Sequence, residues 1–257
     1  MNRINKLFTD KQHNILSVYF TAGYPELEDT VRIISALENE GVDMIEIGIP
    51  FSDPVADGPV IQNSSNIALK NGMNLNLLFK QLKNIRQSVS IPLLMMGYIN
   101  PVFQMGMEKF LSKCAETGID GVIIPDLPVE EYIREYKDLF KIFNIHFICL
   151  ITPQSPEDRI RFIDKVSDGF IYMVSSASTT GSKNSFDTEQ LDYFHKVQAM
   201  GLRNPVLAGF GISNKSTFES ACKYSGGAII GSAFIKSLNG KGTMDDKISN
   251  FFSQIFL

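Results

Sequence analysis

The sequence predicts one α/β domain over residues 1–257, a (β/α)8 barrel with extra helices at its N-terminus and after its last strand. Two observations carry the prediction. Eight short, β-rich apolar runs recur along the chain, at 15–20, 43–49, 91–98, 120–125, 145–151, 169–175, 204–210 and 226–232. They read as continuous hydrophobics, the pattern of parallel strands buried on both faces. Segments of helical period lie between them, and eight strands alternating with helices over 257 residues suit a closed barrel. A doubly wound open sheet satisfies the same periodicity, because closure leaves no mark in a linear pattern. No linker rich in Pro, Gly or Ser divides the chain.

The second run, Asp43–Ile49, is the most informative strand. Alternation puts Ile45, Ile47 and Ile49 on one face, toward helices, and Met44, Glu46 and Gly48 on the other, which points inward in a barrel. A carboxylate buried there is costly unless it is paired or serves a purpose. The competing reading of Glu46 is a structural ion pair. The strand runs into a loop, 50–59, with three prolines and a glycine, so the loop is stiff and shaped. Within it Asp57-Gly58-Pro59 reads as a turn and helix start with Asp57 as the cap. Glu46 and Asp57 together place two carboxyl groups at the C-terminal mouth of a barrel, where they can divide acid and base duties.

Further along, Leu75, Leu78, Leu82, Ile85 and Val89 line one helix face, as do Val129, Tyr132, Ile133, Tyr136 and Phe140. The segment 175–187 is the sixth long loop, poor in apolar anchors and expected to be a mobile lid. Glycines follow the last two strands, at Gly209 and Gly211, then Gly227 and Gly231. They let a ligand approach the backbone, and Ser232 then opens a short helix whose free N–H groups attract an anion. Phosphate binding after these two strands is the expectation, with Thr179-Thr180-Gly181 as a third contributor. Met244, Ile248, Phe251, Phe252 and Ile255 mark a last helix.

Composition removes other classes of function. With 24 Lys and Arg against 28 Asp and Glu, a net charge of −4, no basic stripe exists to displace counterions from a nucleic acid. Cys114, Cys149 and Cys222 form no CxxC and lie near no histidine cluster, so neither a zinc site nor a disulfide framework is expected. No metal is assigned. No apolar run of membrane-spanning length and no signal-peptide core is present, which points to a cytoplasmic protein. His13, His146 and His195 are scattered and read as structural or surface residues.

With these residues in hand, the chain resembles the α subunits of tryptophan synthase. The carrying motifs are DMIEIGIPFSDPVADGPVIQ at 43–62, FTAGYP at 20–25, PDLPVEE at 125–131, GFGIS at 209–213 and GSA at 231–233, and the resemblance covers essentially the whole chain. It implies retro-aldol cleavage of indole-3-glycerol phosphate to indole and glyceraldehyde 3-phosphate. It also implies an α2β2 complex with a β subunit that carries pyridoxal phosphate and receives indole through a tunnel, with no cofactor in this chain. The catalytic glutamate falls on Glu46 and the catalytic aspartate on Asp57. By the same resemblance Tyr98 and Tyr172 line the pocket, and Tyr19 stands where relatives use Phe. Gly181, Gly211 and Ser232 hold the phosphate, with Phe210 and Gly231 beside them. Thr180 matches a lid threonine bonded to the aspartate, and Asp53 and Pro54 match positions that meet the β subunit. The sixth loop departs from the family phrase S-x-x-G-V-T-G, with Ser178 for glycine and Thr179 for valine. Two other readings stay open: an activator of the β partner with weak catalysis, and another phosphosugar barrel enzyme such as an isomerase.

Overall fold

The computed structural model describes residues 1–175 and 186–256. Nine strand segments, all parallel, run in the order β5-β4-β3-β2-β1-β9-β8-β7-β6. They are β1 Ile15–Thr21, β2 Met44–Gly48, β3 Leu93–Met96, β4 Gly121–Ile123, β5 His146–Phe147, β6 Cys149–Ile151, β7 Ile171–Val174, β8 Val206–Gly209 and β9 Gly227–Ile230. The two ends of that order are one stretch of chain. β5 pairs with β4, β6 pairs with β7, and only Ile148 separates them, its N–H donating to the Val122 carbonyl at 2.9 Å. The expected strand 145–151 therefore serves its two neighbours with successive halves, the stagger that tilted barrel strands require. The barrel closes there, which settles the choice against an open sheet.

The helices are α1 Arg3–Asp10, α2 Asp29–Asn39, α3 Pro59–Lys70, α4 Leu75–Leu82, α5 Ile99–Met105, α6 Met107–Thr117, α7 Val129–Glu131, α8 Lys137–Ile142, α9 Glu157–Val166, α10 Thr188–Ala199, α11 Lys215–Cys222, α12 Ser232–Ser237 and α13 Met244–Phe256. Two differ from the single helices that apolar spacing suggested. The pattern starting at Leu75 breaks after Leu82 into a short 3-10 turn, Ile85–Gln87, although Val89 is still buried. The pattern starting at Val129 widens to a π-type turn at Tyr132–Tyr136, where Tyr132 stacks on Phe147 with ring centroids 4.2 Å apart. Spacing reports which side is apolar, and both kinds of turn keep that side inward.

Alternation along β2 holds. Met44 joins Ile15, Leu94, Ile123, Ile148, Leu207 and Ile229 inside the barrel, while Ile45, Ile47 and Ile49 pack outward under the helices. The extra N-terminal helix is α1, and its Ile4 closes the barrel floor. A Cβ on Gly121 would come within 2.9 Å of the end of the Ile4 side chain, so the glycine lets that plug sit where it does. Asn2 caps α1 through the Ile4 N–H and donates to the carbonyls of Asp120 and Asn144 at 2.8 and 3.0 Å, tying the plug to the floor.

The phrases Gly41-Val42-Asp43 and Gly118-Ile119-Asp120 do the same work twice. Each glycine has positive φ, 82° and 72°, and each aspartate precedes a strand. Asp43 accepts the Leu16 N–H at 2.8 Å and Asp120 accepts the Leu93 N–H at 3.0 Å, satisfying a backbone donor at the start of the neighbouring strand. Asp120 also holds Arg86 at 2.7 Å and Arg3 at 3.0 Å.

Candidate active site

Glu46 is fully buried on the inner face of β2, beside Tyr19 of β1 and Leu94 of β3 in register. Its Oε1 accepts the Ser17 hydroxyl at 3.0 Å, and its Oε2 has no hydrogen-bond partner among the described residues. Among the described residues no cation pairs with it, so the structural ion-pair reading has no support there. Burial pushes the Glu46 carboxyl up to about 8, with the Ser17 hydrogen bond opposing.

Asp57 is not the helix cap that its neighbours suggested. Gly58 is the N-cap of α3 and Pro59 its first residue, a position that suits proline because the first N–H has no helical partner. Freed from capping, the Asp57 carboxylate accepts the Tyr98 hydroxyl at 3.2 Å, while that hydroxyl accepts the Ala56 N–H at 2.9 Å. Gln62 of α3 donates to the Asp57 carbonyl at 2.8 Å and holds the loop to the helix. Burial raises the Asp57 carboxyl to about 6 against the Tyr98 hydrogen bond.

The tyrosines surround this pair. Tyr19, Tyr98 and Tyr172 are buried, and burial raises each phenol. Tyr19 and Tyr172 each feel the charges of both Glu46 and Asp57, so the two carboxyl groups share one enclosure. Room for the rings comes from Gly48 and from Gly209, the latter expected from sequence to admit a ligand and not a tyrosine ring. Tyr19 lies across Gly48, where a Cβ would stand 2.2 Å from the phenolic oxygen. Tyr172 lies over Gly209 in the same manner. Phe51 stacks on Tyr98 with centroids 5.3 Å apart, and Phe210 meets Tyr172 edge-on at 6.3 Å.

At the far side, Phe210 and Gly211 have φ of 69° and 77°. Such a turn is strained for Phe210 and easy for Gly211. The buried Ser175 hydroxyl anchors it, donating to the Phe210 carbonyl at 2.5 Å. Gly231, packed on Tyr19, precedes α12, and Ser232 is exposed as its first residue. The first N–H groups of a helix lack partners within it, and α12, the extra helix after the last strand, begins at Ser232. Thr180 and Gly181 lie outside the described residues.

Asp53, Pro54 and Val55 form the outer crest of the loop. Asp53 accepts the Ser52 hydroxyl at 2.5 Å, and Val55 is 86% exposed. Beside the crest is an open groove of about 600 Å³, lined by Pro50, Phe51, Asp53, Asn100, Pro101 and Gln104 among others. Among the described residues no cluster of His, Cys, Asp and Glu is suited to a metal ion. Also among them, no helix is long and apolar enough to cross a membrane.

Sequence reading missed Ser17 and the Ser175 hydroxyl; it placed Gly48 only as an inward residue of β2 and gave Gly209 to ligand approach, not to making room for a tyrosine ring. Parity along β1 pointed to the first of these, since Ser17 shares the inward face with Ile15 and Tyr19 and is a hydroxyl among apolar neighbours.

Comparison with known proteins matches these features to one family. The sequence profile of tryptophan synthase alpha chains matches residues 6–253. The tryptophan synthase alpha chain of Flavobacterium psychrophilum is 60% identical over 257 residues, covering 100% of both chains. That of Parabacteroides distasonis is 52% identical over 255 residues, covering 99% of each. Among solved structures, tryptophan synthase subunit alpha from Legionella pneumophila superposes with a TM-score of 0.89 at 30% identity, covering 99% of this chain and 97% of that one. The alpha subunit from Pyrococcus furiosus gives 0.86 at 33% identity, covering 95% and 98%.

Proposed function

The chain belongs to the tryptophan synthase alpha chain family, and from that premise we propose that Glu46 and Asp57 divide the work of its lyase reaction. The activity of the family is cleavage of indole-3-glycerol phosphate in tryptophan biosynthesis. One observation supports the division. Glu46 is fully buried with one hydrogen bond and an unpartnered Oε2 among the described residues, and burial pushes it up to about 8. Asp57 accepts the Tyr98 hydroxyl and rises only to about 6, which favours the proton on Glu46 and the charge on Asp57. Environments that separate two carboxyl groups in this way mark an acid and a charge stabiliser.

The steps balance with this chain's residues alone. Glu46 gives its proton to indole C3, and the ring nitrogen takes up positive charge, which Asp57 holds through the indole N–H. The glycerol hydroxyl next to the ring then returns a proton to Glu46. The bond from that carbon to indole C3 breaks, its electron pair neutralises the ring, and the carbon becomes the aldehyde of glyceraldehyde 3-phosphate. Glu46 ends as it began, protonated. Tyr19, Tyr98 and Tyr172 enclose the indole and exclude water. Phosphate is held by backbone N–H groups at Gly211 and Ser232, beside Phe210 and Gly231, together with Thr180 and Gly181.

The same proposal treats residues 1–257 as one cytoplasmic domain in an α2β2 complex. Pyridoxal phosphate belongs to the β subunit, which meets Asp53 and Pro54 at the exposed crest. The test is release of indole from indole-3-glycerol phosphate with and without a β subunit, across pH. kcat/KM falls below about pH 6 and above about pH 8, the values near which Asp57 and Glu46 titrate. Activation of the β subunit with no indole release under either condition sinks the lyase assignment in favour of an activator.

A further inference from the structure

We infer that Ser17 is a positioning residue for the lyase reaction: by donating to Glu46 Oε1 it leaves Oε2 as the oxygen that carries and exchanges the proton. The inference rests on the assignment of Glu46 as the proton carrier.

The geometry is specific. Ser17 and Glu46 are both fully buried, 29 residues apart in sequence, on adjacent strands inside the barrel. Ser17 faces Met44 and Ile229 in register, and the floor below is apolar. A hydroxyl there has a desolvation cost that only a partner offsets, and its partner is Oε1 at 3.0 Å. Oε2 is equally buried and has none among the described residues. In the neutral acid an oxygen that accepts a hydrogen bond is the carbonyl oxygen, so the proton resides on the other. Ser17 thereby fixes which oxygen is acid and prevents the carboxyl group from turning its proton toward the floor. After proton transfer the same hydrogen bond stabilises the carboxylate.

The groups around Glu46 do not duplicate this function. Tyr19 from β1 and Tyr172 from β7 both feel the charge of Glu46, which adds to burial in raising their phenols, and neither stands as a donor to it. β3 contributes Leu94 in register and β9 contributes Ile229 opposite Ser17. Ser17 opposes the effect of burial on this carboxyl.

The experiment uses the full chain with its β subunit, in wild-type form and as Ser17→Ala, Ser17→Thr and Ser17→Cys. Steady-state kinetics are combined with a 13C NMR titration of labelled glutamate in the unliganded chain, the Glu46 resonance being assigned from Glu46→Gln. In Ser17→Ala, kcat drops about tenfold, the effect of losing one hydrogen bond to a charged group. KM stays within about twofold, because substrate contacts are unchanged. The Glu46 titration moves to higher pH, since a donor to the carboxylate is gone. Ser17→Thr restores both, and Ser17→Cys, a weaker donor, falls between. An unmoved Glu46 titration in Ser17→Ala overturns the inference, as does an unmoved kcat. If Ser17→Ala does not fold, an unmoved titration in Ser17→Cys overturns it equally. Retained turnover in Glu46→Gln defeats the catalytic assignment instead, so the two failures are distinguishable.

Discussion

The ring of Tyr172 crosses Gly209 so closely that a Cβ on the glycine would stand 2.3 Å from the phenolic oxygen and 2.4 Å from Cε1. Tyr172 pairs with Leu207 in register and Gly209 with Val174, so the tyrosine leans diagonally onto the next strand. Tyr19 and Gly48 repeat the arrangement, with Tyr19 opposite Glu46 and Gly48 opposite Thr21. Each tyrosine lies flat toward the mouth because the neighbouring strand has no side chain to stop it.

Gly209→Ala should therefore displace Tyr172, costing about 1–3 kcal/mol of stability and reducing turnover. Adding Tyr172→Phe should not relieve it, because ring carbons still stand within 2.5 Å of the new Cβ. Adding Tyr172→Ala should. Urea midpoints of the three variants give the answer, and full recovery with Tyr172→Phe would mean that the hydroxyl alone is the obstacle.

Glu46→Gln preserves shape and the Ser17 contact but cannot exchange a proton. Turnover should fall at least about a hundredfold, the lower range of acid–base contributions, with substrate affinity little changed. Rapid-quench single turnovers separate chemistry from binding. A variant with near wild-type turnover would remove Glu46 from the mechanism.

Glu46 also sets a pH dependence of stability. Its folded-state titration lies near 8, above the ordinary carboxylate value of 4.5, so the native state holds a proton that the unfolded chain has released. That contribution is complete below the ordinary value and is lost as pH rises through about 8. Asp57 adds the same sign over a narrower window, ending near 6. Wild type should lose several kcal/mol relative to Glu46→Gln between about pH 5 and pH 9. Denaturant midpoints of both proteins across that range test it, and parallel curves would refute it.

At the phosphate end, backbone conformation should matter more than the hydroxyl. Gly211 has a φ of 77°, and a Cβ there would meet Phe186 and Ser175 only at an ordinary contact distance of 3.7 Å. A valine there is strained by its backbone, so the turn itself must change and glycerol-phosphate binding should weaken at least about tenfold. Ser232→Ala, which keeps the N–H, should be milder. Calorimetric titration with glycerol phosphate reads both, and intact binding in Gly211→Val beside lowered stability would remove this turn from the phosphate site.

Most of the barrel was legible because strand parity and helical spacing are local properties. Met44, Glu46 and Gly48 point inward on β2 as alternation requires, and α13 follows its apolar spacing. What escaped were relations across strands. Asp57 looked like a cap because Gly58 and Pro59 follow it, yet its true partner, Tyr98, is 41 residues away. Gly48 was legible only as an inward residue and Gly209 only as a glycine for ligand approach, because the rings of Tyr19 and Tyr172 that lie over them come from neighbouring strands. Ser17 differs from any buried strand serine only through Glu46, on another strand.

The closure of the barrel has a consequence for the newborn chain. β1 pairs with β2 on one side and with β9 on the other, where Ile15 stands opposite Gly227. As the ribosome delivers the protein from its N-terminus, the β1 edge has no neighbour until almost the whole chain has emerged. For that interval an apolar strand edge is open to other nascent chains. The last strands to leave the ribosome are thus the ones that end this vulnerability, and a message truncated before β9 yields an association-prone sheet instead of a smaller enzyme.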